Sequence, residues 1–456
     1  MGAVTVGLDI GTTSIKAVAV DGDGRVLDRV RIPHDVIVPG PDMLEHDASR
    51  AWRRAPRRAV AAMRRLDPEA VAVTSMVPSL TAVDARGRPM TPGLLYGDRR
   101  ATAGGDGGTP AGGDVPTSGA EVEAFLRWTA LRAPEAHGYW PAQAVANFAL
   151  GGRPAIDFAV AYIATPVFGS EGWDPEICAR SGARPGQLPE VELPGAAVGR
   201  LDGSPDGPVL TSGSVDVWCE QLVAGAAEPG DVHVICGTTL IVWAVAPVAS
   251  DREPHPAVWT VPHSRAGQHL VGGASNAGGL FLDWANRLIG RSSTDRVDPA
   301  NVPVWAPYPR GERTPYHDPS RRAAIDGLDL THGPAALRQA AWEASGFVVR
   351  HHLDLGAVHA RRIVATGGGT KVAGWMQALA DVTGLPVHVA AEPEGAARGA
   401  AFLARLAAGL ESDLNDAARW AATGSVVEPR PEWSDPTQSR YQRFLELSGP
   451  PDPTTR

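Results

Sequence analysis

Three glycine- and hydroxyl-rich turns, with a few carboxylates beside them, are where this sequence has the residues for chemistry. The first is Asp9-Ile10-Gly11-Thr12-Thr13-Ser14-Ile15-Lys16, set between the β-prone runs Val4/Val6/Leu8 and Ile15/Ala17/Val18/Val20. Gly11 lets the backbone come close to a ligand, and the hydroxyls of Thr12, Thr13 and Ser14 suit phosphate oxygens, as do the N–H groups of the turn. Asp9, at the end of the first strand, offers the oxygen ligands that a hard cation such as Mg²⁺ prefers. Lys16 adds positive charge, although a lysine inside a strand equally well points to solvent. By itself the stretch also reads as an ordinary β-hairpin with a polar turn.

A second copy changes that reading. His233-Val234-Ile235-Cys236-Gly237-Thr238-Thr239-Leu240-Ile241-Val242-Trp243 repeats strand, Gly-Thr-Thr turn and strand, with Gly237 standing 226 positions after Gly11 in a chain of 456 residues. Recurrence at half-length, with apolar runs on both sides each time, points to two related domains that each offer a phosphate-binding hairpin to a shared cleft. The third turn, Thr366-Gly367-Gly368-Gly369-Thr370-Lys371, follows the strand-like run Arg362–Ala365 and precedes a helix expected over Ala373–Thr383; three glycines let a flat or charged ligand lie on the backbone. Two further carboxylates stand out. Asp216 falls where the strand and Ser/Gly turn Val209–Val215 give way to a helix, so it reads as a helix cap or as a base on a rigid element at the seam between the halves. Asp98, in Tyr96-Gly97-Asp98-Arg99-Arg100, reads as part of a solvated loop or as an acceptor for substrate hydroxyls.

The elements that must position these turns follow a strand–helix–strand order, which makes an α/β protein. Asp21-Gly22-Asp23-Gly24 reads as a turn back into a strand, Ala48–Leu66 as a surface helix with Ser49 as its cap and Pro56 as an interruption, and Ala70–Met76 as a buried strand with Ser79–Asp84 as its neighbour. The run 103–114 is too rich in glycine to hold a fixed structure and is expected to be a mobile surface loop. Residues 121–150 look helical, with Phe125, Leu126, Trp128 and Leu131 on one apolar stripe, and short elements are expected from there to Pro208. Gly395–Leu403 is a small-residue helix, suited to close packing beside the nucleotide end.

Composition narrows the class. A length of 456 residues favours two domains, and a net charge of −9 argues against a nucleic-acid surface. Three cysteines without metal-ligand spacing read as reduced thiols. With a strand beginning by Val4 and no apolar run long enough to span a membrane, a cytoplasmic protein is expected, with no membrane partner.

Together these residues resemble the FGGY carbohydrate kinases of the actin/hexokinase/Hsp70 ATPase superfamily over most of the chain. Asp9–Ala17 is similar to the family's first phosphate motif. Glu228-Pro229-Gly230-Asp231-Val232 leading into Cys236-Gly237-Thr238-Thr239 is similar to the second, and Thr366–Lys371 to the adenosine motif. Gly311-Glu312-Arg313-Thr314-Pro315-Tyr316-His317-Asp318-Pro319 resembles a segment shared by xylulokinases and glycerol kinases. The resemblance implies two RNase H-like, actin-like ATPase domains, 1–222 and 223–445, with a tail at 446–456 and with nucleotide and sugar in the inter-domain cleft. It implies ATP and Mg²⁺, with Gly11, Thr12, Thr13, Lys16, Gly237, Thr238, Thr239, Gly367, Gly368, Gly369 and Lys371 on the nucleotide and Asp9 on the metal. Asp216 becomes the general base and a sugar contact, and Met76 and Asp98 join it on the sugar side.

The implied reaction is transfer of the γ-phosphoryl group of ATP to a hydroxyl of a ketopentose, xylulose-like, or of a related sugar or polyol. The family's Gly-Gly-Gly-Asp-Asn sequence around the base is replaced here by Ser212-Gly213-Ser214-Val215-Asp216-Val217-Trp218, and the Gln-Met-His of xylulokinases by Ser75-Met76-Val77-Pro78. Both differences touch the sugar side, so the acceptor is left open, and a sensor that binds ATP and sugar without efficient transfer is the alternative. A repressor would need a basic helix-turn-helix and a chaperone a peptide-binding domain, and a chain that starts at its first strand and ends soon after Arg443 is expected to hold neither. A homodimer is among the assemblies left open.

Overall fold

The run Thr5–Ile10 forms the first strand (β1), and all six of its residues are buried, as an apolar stretch covered on both faces requires. It pairs antiparallel with β2 (Ser14–Val20), and β2 pairs in turn with β3 (Val26–Pro33) after a turn in which Asp21 Oδ1 accepts from the N–H groups of Asp23 and Arg25. The computed structural model describes residues 2–40, 43–100, 118–250, 252–263, 265, 267–290, 296–392 and 394–451; the glycine-rich stretch 103–114 expected to be a mobile loop lies outside them. On its other edge β1 runs parallel to β4 (Ala70–Ser75). Beyond β4, β5 (Ala197–Arg200) is the edge strand, antiparallel to β6 (Val209–Thr211), which lies parallel to β4. A two-residue strand, β7 (Ser214–Val215), also pairs parallel with β4 and leads into helix α2 (Asp216–Ala224); helix α1 (Ala55–Met63) covers the sheet with Ala55, Ala59, Val60 and Met63.

A second sheet repeats the plan. β8 (Asp231–Cys236) and β9 (Leu240–Pro247) form the hairpin, β10 (Trp259–Pro262) and β11 (Gln268–Ser275) extend it antiparallel, and β12 (Arg362–Thr366) and β13 (Val387–Ala390) run parallel on the other side of β8, with β14 (Thr423–Val427) as antiparallel edge. Helices α3 (Gly279–Ile289), α4 (Pro334–Leu355) and α5 (Ala373–Thr383) supply Phe281, Phe347 and Trp375 to its core. The repeat at half-length is therefore a repeat of sheet topology.

The compact units divide after Val223, close to the expected 222/223, but Glu394–Trp420 returns to the first unit, which a contiguous division does not provide for. The reason is helix α6 (Gly395–Ala407), expected to pack beside the nucleotide end. It packs closely on β1: a Cβ at Gly7 would strike the backbone of Ala397 and Ala401, and one at Gly399 the carbonyl of Cys219. In the second unit the last helix, Ser434–Ser448, runs into the expected tail, where the Tyr316 hydroxyl donates to the Gly449 carbonyl (3.1 Å).

Several local expectations are corrected. Ser49 makes no side-chain cap; the segment is a π-helical turn (Ser49–Arg54) that continues into α1, with Pro56 in the first turn of α1. Ser79–Val83 is not a neighbour of β4. It belongs to a separate four-stranded sheet with Glu45–His46, Gly93–Leu95 and Gly138–Trp140, because Pro78, lacking an N–H donor, interrupts the run. The stretch 121–150 is two helices, Ser118–Arg132 and Ala142–Leu150, broken at Pro134. Of the expected stripe Phe125 and Leu126 are buried, whereas Leu131 is 78% exposed.

Candidate active site

The first Gly-Thr-Thr turn closes β1 and β2 with four residues, Gly11 to Ser14, and the Gly11 N–H donates to the Ser14 carbonyl (3.1 Å). Of its three hydroxyls, Ser14 is buried and accepts from Arg31 Nε (3.2 Å), Thr12 shares a hydrogen bond with the Tyr96 hydroxyl (3.1 Å), and Thr13 is exposed. Two imidazoles hold the turn from below: His34 Nε2 lies 2.9 Å from the Gly11 carbonyl and His46 Nε2 lies 2.8 Å from the Thr12 carbonyl.

Asp9 and Lys16 are cross-strand partners, so their side chains share a face, with Nζ 3.8 Å from Oδ2. Asp9 is buried. Burial pushes its carboxyl up to about 7, Lys16 opposes that shift, and the negative charge of Asp216 adds to it. Its Oδ1 is buried without a hydrogen-bond partner. A lone carboxylate oxygen of this kind fits a Mg²⁺ ion that draws most of its ligands from water and phosphate; among the described residues no group of three or more His, Cys, Asp or Glu side chains is arranged to hold a metal by itself.

Asp216 is set by sheet register. Asp9 and Ser214 both pair with Thr74 of β4, and Asp216 follows two residues after Ser214 as the first residue of α2. Thr74 Oγ1 and Gln143 Nε2 both donate to the Ser214 carbonyl (3.0 Å each), which pins the short strand β7 in place. Both carboxylates thus stand at the carboxyl ends of parallel strands, the place where α/β sheets bind ligands. Asp216 Oδ1 accepts from the Val217 N–H (2.7 Å), so the residue does serve the helix end as well.

In the second unit the Gly237-Thr238-Thr239 turn is one residue shorter, with the Gly237 N–H donating to Thr239 (3.1 Å). Here the turn's carbonyls are met by the start of α3: Gly279 N–H donates to Gly237 (2.8 Å) and Leu280 N–H to Thr238 (3.1 Å). A Cβ at Gly278 would strike the backbone at Thr239–Leu240, so this approach needs glycine. The Glu312 carboxylate of the Gly-Glu-Arg-Thr-Pro segment, buried and pushed up to about 7 by that burial, accepts from Ser275 Oγ (2.6 Å) and the Asn276 N–H (2.9 Å), which fixes the strand end leading into α3. Thr238 is exposed at the turn, and Lys371 is exposed in the short 3-10 turn Gly368–Lys371.

The three glycines after β12 divide their work. Gly367 has φ +87° and lies against the Cys236 carbonyl, and a Cβ at Gly369 would meet the Trp375 ring; a Cβ at Gly368 would meet nothing within 4 Å. Gly368 is therefore the open face of the turn.

Two sugar-side expectations look different in the structure. Met76 is 3% exposed and packs into the apolar core of the first unit. Asp98 is 1% exposed and already engaged: Oδ2 accepts from the Leu44 N–H (2.6 Å), Oδ1 from the Arg100 N–H (2.9 Å), and Arg100 Nε reaches both oxygens while its Nη1 binds Glu45 (2.5 Å). A carboxylate so committed serves its own loop, which corrects the reading of Asp98 as an open acceptor. Sequence reading also passed over His34, His46, Gly278 and Gly279. A lone histidine carries no period, but Gly7, interior to a strand, did carry the usual signal of a close backbone approach.

The family model described as "FGGY family of carbohydrate kinases, N-terminal domain" matches residues 4–105, and the corresponding C-terminal domain model matches 232–408, together well over half of the chain. The xylulose kinase of Escherichia coli (strain K12) is 26% identical, over 97% of this chain and 99% of its own length. The glycerol kinase of Nocardia farcinica is 27% identical over 95% of each. The crystal structure of xylulose kinase from Rhodospirillum rubrum superposes with a TM-score of 0.78 at 25% identity, covering 97% of this chain and 98% of that one.

Proposed function

From the premise that this chain belongs to the FGGY family of carbohydrate kinases, and is an ATP-dependent sugar kinase of the two-domain actin-like ATPase fold, we propose a substrate, a base and a metal ligand for it. The acceptor is a ketopentose of the xylulose type, and the product is its phosphate ester. Support for this comes from the relatives named xylulose kinase, which align over nearly their whole length.

Alcohols are weak nucleophiles at neutral pH, so a carboxylate that takes the hydroxyl proton as the P–O bond forms lowers the barrier. Asp216 is that base. The observation carrying the assignment is its register: it stands at the same strand ends as Asp9, close enough for its charge to raise the Asp9 carboxyl. Asp9 holds Mg²⁺, which when bound offsets the negative charge of the phosphates. Lys16 adds a positive charge beside it. The N–H groups and hydroxyls of Thr12 and Thr13, and of Thr238 and Thr239, orient phosphate oxygens, with Gly11 and Gly237 closing the two turns and letting the backbone come close; Gly367, Gly368 and Gly369 carry the adenosine, with Lys371 at its edge. Asp98 and Met76 serve the sugar side as supports of its loops rather than as direct contacts.

We place the enzyme in the cytoplasm, where ATP is available and where Cys178, Cys219 and Cys236, all buried and none in a disulfide, stay reduced. Among the described residues no helix is long and apolar enough to cross a membrane.

The test is ADP release with Mg·ATP across ketoses, aldoses and polyols, run beside Asp216→Asn. Ketopentose-dependent turnover that falls about a thousandfold in the variant, with ATP still bound, is the expected result. Turnover on another acceptor class rejects the substrate, and turnover that survives the substitution rejects the base.

A further inference from the structure

The carbonyls of Gly237 and Thr238 are satisfied by backbone N–H groups at the start of α3, and those of Gly11 and Thr12, at the matching positions of the first turn, by two side chains. His46 Nδ1 accepts from the Trp52 indole N–H (3.0 Å), so its proton sits on Nε2 and is donated to the Thr12 carbonyl. His34 Nε2 faces the Gly11 carbonyl, which only accepts, so its proton is on Nε2 as well, and its buried Nδ1 has no hydrogen-bond partner. The rings meet edge to face with centroids 4.6 Å apart. Burial holds both imidazoles below their usual basicity, His46 down to about 4, which keeps them neutral and each with a single N–H. His46 in turn lies on a two-residue strand whose Glu45 accepts from Arg100, itself held by Asp98.

We propose that His34 and His46 are positioning residues for the phosphoryl donor: as paired N–H donors they hold the Gly11-Thr12 peptides in the orientation that turns the N–H groups and the Thr13 hydroxyl of the turn toward phosphate. They do for the first hairpin what the N-terminus of α3 does for the second. The inference rests on reading Asp9–Lys16 as a phosphate hairpin, and its test separates the two.

His46→Leu removes the donor and leaves a carbonyl unpaired, whereas His46→Gln keeps an N–H of similar reach. The leucine variant is expected to raise KM for ATP about tenfold with KM for the sugar within about twofold of the parent, and the glutamine variant to recover most of that loss. Trp52→Phe, which keeps an aromatic ring but frees the His46 tautomer, gives a smaller effect of the same kind. Thermal unfolding of each variant verifies the fold; if His46→Leu does not fold, His34→Leu against His34→Gln makes the same comparison. A folded leucine variant with unchanged ATP parameters overturns the proposal, as does equal damage in the leucine and glutamine variants to both KM values. Thr13→Ala reports on the hairpin itself. If it raises KM for ATP while His46→Leu does not, only the histidine role fails; if neither moves ATP binding, the phosphate reading of the turn fails with it.

Discussion

When the two hairpins are laid over each other at Gly11 and Gly237, Asp9 falls on Ile235, and the residue opposite changes from Lys16 to Ile241. The sheets behind them have the same order of antiparallel and parallel strands, and a Cβ on either glycine would come to 3.3 Å from a carbonyl of its own turn, Ser14 in one and Thr239 in the other. Duplicated topology thus supplies the same backbone cradle twice, while charge is placed in only one copy. The buttressing differs as well: imidazoles under the first turn, a helix N-terminus under the second. A cradle of N–H groups is enough to orient phosphate, but a cation and a proton acceptor need carboxylates, and burying two such sets would double the desolvation cost.

The difference is broken most strongly at Asp9. Asp9→Asn is expected to lower kcat by a factor of roughly a hundred or more, in line with loss of a charged group from the proposed phosphoryl-transfer site. Stability should move the other way. Because burial holds this carboxyl up at about 7, between its ordinary value and pH 7 the unfolded chain is ionised while the folded chain keeps the proton. Its contribution to stability therefore falls as pH rises through that window, and the variant escapes that loss. Melting temperatures of parent and variant should coincide near pH 4 and separate by pH 7–8 with the variant higher, a gap on the order of several degrees. Ile235→Asn, the matching change in the second hairpin, should instead cost about 2–4 kcal/mol at every pH, since it buries an amide in place of a packed side chain.

A smaller effect sharpens the buttress. Gly278→Ala pushes the start of α3 off Thr239 and should cost about 1–3 kcal/mol in denaturant unfolding, with KM for ATP raised and KM for the sugar unchanged. The smallest effect separates neighbours in the three-glycine turn. Gly369→Ala meets the Trp375 ring and loses stability, whereas Gly368→Ala has open space and should stay within about 0.5 kcal/mol of the parent, showing only a few-fold weaker ATP affinity by calorimetry.

Much of this was legible in one dimension. β1, β2, β8 and β9 announce themselves as apolar runs on either side of Gly-Thr-Thr, and α5 spans the expected Ala373–Thr383. Asp216 at a strand-to-helix junction was legible too, because local turn chemistry marks such a junction. Asp98 misled because an Asp-Arg-Arg run looks solvated until Leu44 and Glu45, some fifty residues earlier, are brought against it. Leu131 misled because its helix shows its apolar side to a narrower face than the stripe suggested.

The sequence by itself determined the two hairpins, the class of fold and the family, because these depend on local periodicity, on glycine's freedom at tight turns and on motifs that keep their order along the chain. Tertiary structure alone decided that α6 returns across the chain to lie on β1, that Ser214 and Asp9 share a row through Thr74, and that two histidines hold the first turn. Each of these joins residues far apart in sequence through a backbone approach or a single hydrogen bond, and neither leaves a period for a linear reading to detect.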